Sequence, residues 1–193
     1  MKHRKNNTSW GSEIICPAIA LVLHPNNIID VGCGNGDMVQ WFCDHGTLAV
    51  GVEEPNMPRE TVLSHVRDKI LYFDLGVPWI EEDFQFCFDL ATSIHVAENI
   101  HPNKTEAYLR NLTMLSRNIL MVIAHPDSFD KSGINIQSSA YWDARFNNLG
   151  YQRDPSIEWE LKKALIPYRS DNRIYDMIHH LSFYRGGIND SSH

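Results

Sequence analysis

Three glycines at alternate positions, Gly32, Gly34 and Gly36, follow an apolar run that ends in Asp30 and Val31 and precede Asp37 and a helical pattern. Glycine lets a turn take positive φ and lets a ligand approach closer than a Cβ would permit. Residues 28–37, with Cys33 inside the loop, therefore read as a nucleotide-type cradle. Glu53 closes the next apolar run, 21 residues after Gly32, where a carboxylate can accept from both hydroxyls of a ribose. A glycine loop that merely turns the chain is the competing reading, and the position of Glu53 argues against it.

The sixth loop position selects the ligand. In a dinucleotide fingerprint that position is small, and the helix end behind it receives a pyrophosphate. Asp37 stands there instead. A carboxylate repels phosphate, whereas Asp30 and Asp37 do not oppose a ligand that carries a sulfonium and an ammonium. The loop thus disfavours a nicotinamide oxidoreductase, which remains the alternative enzyme class.

Three histidines fall just beyond later apolar runs: His95 and His101 after the fourth, His125 after the fifth. The carboxyl rim of an open α/β sheet is where ligands bind, and histidine moves protons near neutral pH. His95 and His125 are the candidate general bases, against the reading that each is a structural or surface histidine. The pair His179-His180, with His24 and His125, raises the question of a metal, but the pair falls in an expected strand, where neighbours point to opposite faces, so no metal site is expected.

These groups need a scaffold. Short, continuously apolar runs at 28–31, 48–53, 69–73, 86–92 and 119–124 suit parallel strands buried on both faces. Between them, helical periodicity spans 37–45, 103–116 and 139–149, the last two organised around Tyr108, Leu112 and Leu115 and around Trp142 and Phe146. The alternation is that of a βαβ sheet with helices on its faces. A strand near 151–154, a helix near 157–165 and a last strand near 177–185 complete the expectation. The late aromatic residues sit at core spacing.

At 193 residues one domain is expected, over residues 10–185, with a flexible tail at 1–9 and a disordered one at 186–193. Apolar residues make up 43% and charged residues 21%, values of a globular chain rather than of a membrane span or a disordered one. A net charge of −7 disfavours nucleic acid as a partner. Basic residues 2–5 ahead of the apolar stretch 14–23 invite comparison with a secretory signal, but Glu13 and Pro17 interrupt it and His24-Pro25 leads into a core strand. The four cysteines form no C-x-x-C pair and read as reduced thiols, so a cytoplasmic location is expected.

On its loop, the chain resembles the class I S-adenosylmethionine (SAM)-dependent methyltransferases, whose first motif has the form acidic-x-G-x-G-x-G. Trp10-Gly11-Ser12-Glu13, Gly51-Val52-Glu53, Asp74-Leu75, Phe88-Asp89-Leu90, Ser93 and Val96-Ala97-Glu98 also look like that family. Asn135, Gln137 and Tyr141-Trp142 resemble an uncharacterised branch of it.

The resemblance implies a single Rossmann-like, doubly wound, seven-stranded sheet, mostly parallel with a terminal antiparallel strand and helices on both faces. It implies SAM across the carboxyl ends of strands one to four, held by Asp30, Gly32, Cys33, Gly34 and Gly36, with Glu53 on the ribose. Asp74 and Leu75 would flank the adenine, and Ser93 would sit near the transferred methyl. Relatives often read S-L-E-V-A-E-H where this chain has Ser93-Ile94-His95-Val96-Ala97-Glu98-Asn99, so histidine replaces the first glutamate and asparagine the last histidine.

Methyl transfer is an in-line displacement on an activated carbon, so the protein mainly aligns the acceptor. A base helps when the acceptor is a hydroxyl. The expected activity is O-methylation of a small polar acceptor such as a sugar of a glycan, with Glu98, Asn135 and Tyr141 as acceptor contacts. A SAM-binding protein without catalysis is the alternative that the changes at His95 and Asn99 raise.

Overall fold

The computed structural model describes residues 11–79, 87–128 and 132–187. The expected tail at 1–9, residues 188–193 of the tail expected at 186–193, Trp10 and the start of the expected fourth strand at Phe86 lie outside the described residues, whereas Gly186 belongs to the last strand. Seven strands and six α-helices follow in the order α1 Ser12–Leu23, β1 Asn27–Val31, α2 Asp37–Asp44, β2 Leu48–Glu53, β3 Ile70–Tyr72, β4 Leu90–Ile94, α3 Thr105–Leu115, β5 Asn118–Val122, α4 Ser139–Asn148, β6 Tyr151–Arg153, α5 Pro155–Leu165, α6 Asn172–His180 and β7 Leu181–Gly186.

The strands form one sheet in the order β3-β2-β1-β4-β5-β7-β6. All neighbours run parallel except β7, which is antiparallel to β5 and to β6. β1 pairs with both β2 and β4, so the chain reverses its winding beside β1. That reversal opens a crevice at the carboxyl ends of β1 and β4.

Period-two alternation splits the core between the faces. In β5, Leu120 and Val122 join α1, α2, α5 and α6 through Ile15, Phe42, Leu161 and Met177. Ile119 and Met121 instead join α3 and α4 through Tyr108, Leu112, Trp142 and Phe146. The expected fold class is thus the observed one.

One element goes beyond the expectation and two depart from it, β4 running Leu90–Ile94 where 86–92 was expected. The stretch 14–23 folds as α1, with Ile15, Cys16, Ala18 and Ile19 buried although Pro17 lies inside the helix. The last strand begins at Leu181 rather than 177, because residues 172–180 are helical. Asp171 caps that helix, its carboxylate accepting from the Arg173 N–H at 2.9 Å, and Ile174 and Met177, three apart, are buried in the core.

Candidate functional site

The glycine loop joins β1 to α2, and its three glycines do different work. Gly32, Gly34 and Gly36 all have positive φ, at 81°, 57° and 85°. A Cβ on Gly32 would lie 2.3 Å from Val96 Cγ2, and one on Gly36 would lie 2.9 Å from Val66 Cγ2. Those two glycines let protein pack against protein. A Cβ on Gly34 would meet nothing within 4 Å, so the space over Gly34 belongs to a cleft.

That cleft is bordered by the loop, Asp30, Asp37, Ser12, His95 and Met177. Its carboxylates lack compensation. Asp30 is buried, and burial, reinforced by the charge of Glu53, raises its pKa to about 7 although the Thr92 hydroxyl donates to it at 2.8 Å. Asp37 Oδ2 is buried with no hydrogen-bond partner, and no Lys or Arg among the described residues pairs with either carboxylate. Buried polar atoms are ordinarily satisfied, so an orphaned carboxylate oxygen beside open space points to a cationic ligand.

Glu53 reaches the loop from the end of β2. Its Oε2 accepts from the Gly34 N–H at 2.6 Å and its Oε1 from the Glu54 N–H at 2.8 Å. The sequence placed this carboxylate correctly beside the loop. Cys33 lines the cleft, and its sulfur fills the space above Gly51, where a Cβ would lie 2.6 Å away.

Ser93 is a correction. Its Oγ donates to the Val31 carbonyl at 2.8 Å and meets the Tyr108 hydroxyl at 2.5 Å, on the α3 face. Strand neighbours face opposite ways, so Thr92, which the sequence reading passed over, is the β4 residue that reaches Asp30. The Leu75 side chain is buried in the core of the α3 face, while its N–H, donated to Glu54 Oε1 at 3.1 Å, lies among polar groups. Asp74 is half-buried and pairs with Lys104 at 3.2 Å.

At the carboxyl end of β4, His95 takes φ 57°, a left-handed conformation that costs a non-glycine residue roughly 1 kcal/mol. The turn that follows brings Glu98 back, with Oε1 at 3.2 Å from His95 Nδ1. A carboxylate only accepts, so Nδ1 donates in that bond. Glu98 is itself buried, its Oε2 is without a partner, and its carbonyl accepts from the Asn135 N–H at 2.9 Å.

The other expected site residues do not gather here. The Asn135 side chain is buried and donates to Thr105 Oγ1 at 3.0 Å, so it braces the turn instead of facing an acceptor. Tyr141 lies under the Arg145 guanidinium, 3.6 Å from its ring centre, and edge-on to Trp142. His101 caps the short 3-10 turn Pro102–Lys104. His125 does not line the cleft; its Nδ1 lies 3.1 Å from His180 Nδ1. The residues missed in the sequence, Thr92, Met38 and Met177, carry no motif, since a core strand or helix position looks the same whether or not a cleft opens beside it.

Over residues 9–164 the chain matches the family model described as methyltransferase domain. The chain belongs to the methyltransferase-domain family. Its cofactor is accordingly S-adenosylmethionine, and the cleft fits that ligand: a cradle open over Gly34 and two carboxylates without a cation. This membership sets aside the nicotinamide alternative. Sequence comparison with curated proteins finds no match.

Solved structures share the fold at low identity. The mitomycin 7-O-methyltransferase MmcR is 16% identical with a TM-score of 0.54, over 75% of this chain and 49% of that one, so the chain spans about half of MmcR. A Burkholderia thailandensis 1,6-didemethyltoxoflavin-N1-methyltransferase, solved with S-adenosylhomocysteine, is 16% identical with a TM-score of 0.55, over 75% of this chain and 71% of that one. The cyclase SpnF is 13% identical with a TM-score of 0.58, over 95% of this chain and 84% of that one. One of these three is thus a cyclase, and the fold by itself does not name the reaction.

Proposed function

We propose that this protein methylates a hydroxyl of a small polar acceptor, with a sugar of a glycan as the favoured substrate class. Asp30 and Asp37 would face the cationic amino-acid half of SAM, the backbone at Gly32, Cys33, Gly34 and Gly36 would pass along it, and Glu53 would exchange its bond to the Gly34 N–H for the ribose hydroxyls. When bound, the cofactor supplies a methyl on a carbon activated by a sulfonium. The protein supplies alignment, and a base for the acceptor proton.

The observation that carries this reading is the His95–Glu98 pair at the mouth of the cleft. A histidine held in one tautomer by a carboxylate, in a strained backbone conformation, suits a general base toward a neutral hydroxyl. His125, paired with His180, is the weaker candidate. The net charge of −7 supports an uncharged acceptor over a polyanion. Four cysteines without a C-x-x-C pair support a cytoplasmic setting, and no helix among the described residues is long and apolar enough to cross a membrane. The domain is proposed to span 10–185.

Isotopically labelled methyl transfer to a panel of sugars and small alcohols tests the proposal. In the active combination, His95→Gln should lower kcat by roughly 10²- to 10⁴-fold, far more than it weakens SAM binding. Full activity in that variant would remove the base assignment. A second reading, SAM binding without transfer, draws on Asn99, whose side chain donates to the His95 carbonyl at 3.2 Å and so braces the turn.

A further inference from the structure

His125, Asp127 and His180 come together outside the cleft, on the same rim of the sheet. Their ligand atoms lie within 4.8 Å of one another. His125 follows β5, and its turn is closed by the Ser128 Oγ accepting from the His125 N–H at 2.7 Å. His180 ends α6, one residue before Leu181, which pairs with Val122 of β5. Two chain segments 55 residues apart are thus pinned by the sheet so that both Nδ1 atoms converge, 3.1 Å apart and with the rings steeply inclined at 65°.

We propose that His125 Nδ1, His180 Nδ1 and the Asp127 carboxylate hold a divalent transition-metal ion of the zinc class. The chemistry of the donors fits. Two imidazoles and a carboxylate are a three-ligand set that leaves a position open for a small oxygen ligand. In a tetrahedral zinc site with bonds near 2.0–2.1 Å, neighbouring ligand atoms sit about 3.3 Å apart, close to the spacing seen between the two nitrogens. His180 lies at the carboxyl end of α6, where the helix dipole favours a cation. Arg153, the cation near His125, is engaged by Glu158 and Asp143.

The sequence expectation of no metal rested on His179 and His180 lying in a strand. They lie instead at the end of a helix, where His179 is exposed against Tyr175 and His180 is buried. His125 supplies the second imidazole. The competing explanation is a hydrogen bond in which the two rings share one proton.

The test is a titration of the tag-free, chelator-stripped protein, without SAM, using Zn²⁺ by calorimetry and Co²⁺ by visible absorption. One equivalent should bind, with the intense absorption of low-coordinate cobalt. His180→Gln should weaken binding by roughly a hundredfold or more and Asp127→Asn by roughly tenfold or more, while His179→Gln leaves it unchanged. Should His180→Gln fail to fold, imidazole NMR of the native protein decides: Zn²⁺ should move the His125 and His180 signals together. Absence of stoichiometric binding, binding indifferent to His180→Gln, or shifts confined to other histidines would each overturn the site. None of these readouts depends on the cofactor, so the outcome is separate from that of the methyl-transfer reading.

Discussion

Two clusters of buried charge, one at the β7-β6 edge of the sheet and one beside β1, are built on opposite principles. Beside β6 and β7, Glu158 is buried and bonds the Arg153 guanidinium through both oxygens, at 2.8 and 2.6 Å, while its Oε1 also accepts from the Phe183 N–H at 3.0 Å. Asp143 completes the network by accepting from the Tyr184 hydroxyl at 2.8 Å. At the glycine loop, Asp30 and Asp37 are sequestered without a cation, one with its pKa raised to about 7 and the other with an orphaned oxygen. The first cluster is finished within the chain and staples α4, α5, β6 and β7. The second is completed only by a ligand, and that is what marks it as a site.

The contrast can be broken from either side. Gly34→Val should have the largest effect: the side chain enters open space over the loop, so SAM affinity should fall by roughly a hundredfold or more, near 3 kcal/mol, in a chain that folds with reduced stability because φ is positive there. Calorimetry and circular dichroism together check this; unchanged affinity would mean that the cradle lies elsewhere.

Glu158→Gln comes next, and it should act on stability alone. Arg153 is about a third exposed, which reduces the penalty of stranding it, so a loss of roughly 2–3 kcal/mol in urea unfolding is expected with SAM affinity intact. Asp30→Asn should do the reverse. Removing an uncompensated carboxylate should leave stability equal or higher at pH 8, while SAM affinity drops by about tenfold, on the order of 1.4 kcal/mol.

The smallest effect is a pH dependence. The Asp30 pKa is raised on folding from 3.8 to about 7. Its contribution to stability is therefore complete below the unfolded value and is lost as pH rises through about 7. Between pH 6 and 8 the native chain should lose about 1.4 kcal/mol relative to Asp30→Asn, readable from paired denaturation curves.

Much of this was legible in the sequence because the fold is written in apolar runs of strand length and the loop in glycines that only a turn and a ligand require. Asp30, the glycines and Glu53 could be placed because each is fixed by its position at a strand end. Ser93 could not: a shift of one residue along β4 exchanges the cleft face for the α3 face, and nothing local distinguishes Thr92 from Ser93. Residues 177–180 read as strand because Met177 and Ile178 lead straight into the strand-forming run 181–184, while the cap that makes them helical, Asp171, lies six residues upstream. With that helix misread, the meeting of His125 with His180, 55 residues away, was out of reach.

The central claim, that the cleft carboxylates await a cation carried by the cofactor, is tested most directly by counting protons. SAM is titrated into the native protein and into Asp30→Asn at pH 7, in two buffers of different ionisation enthalpy. With a pKa of about 7 and binding that favours the ionised form, the native protein should release about half a proton more than the variant. Equal proton release by both, with SAM bound equally well, would contradict the account.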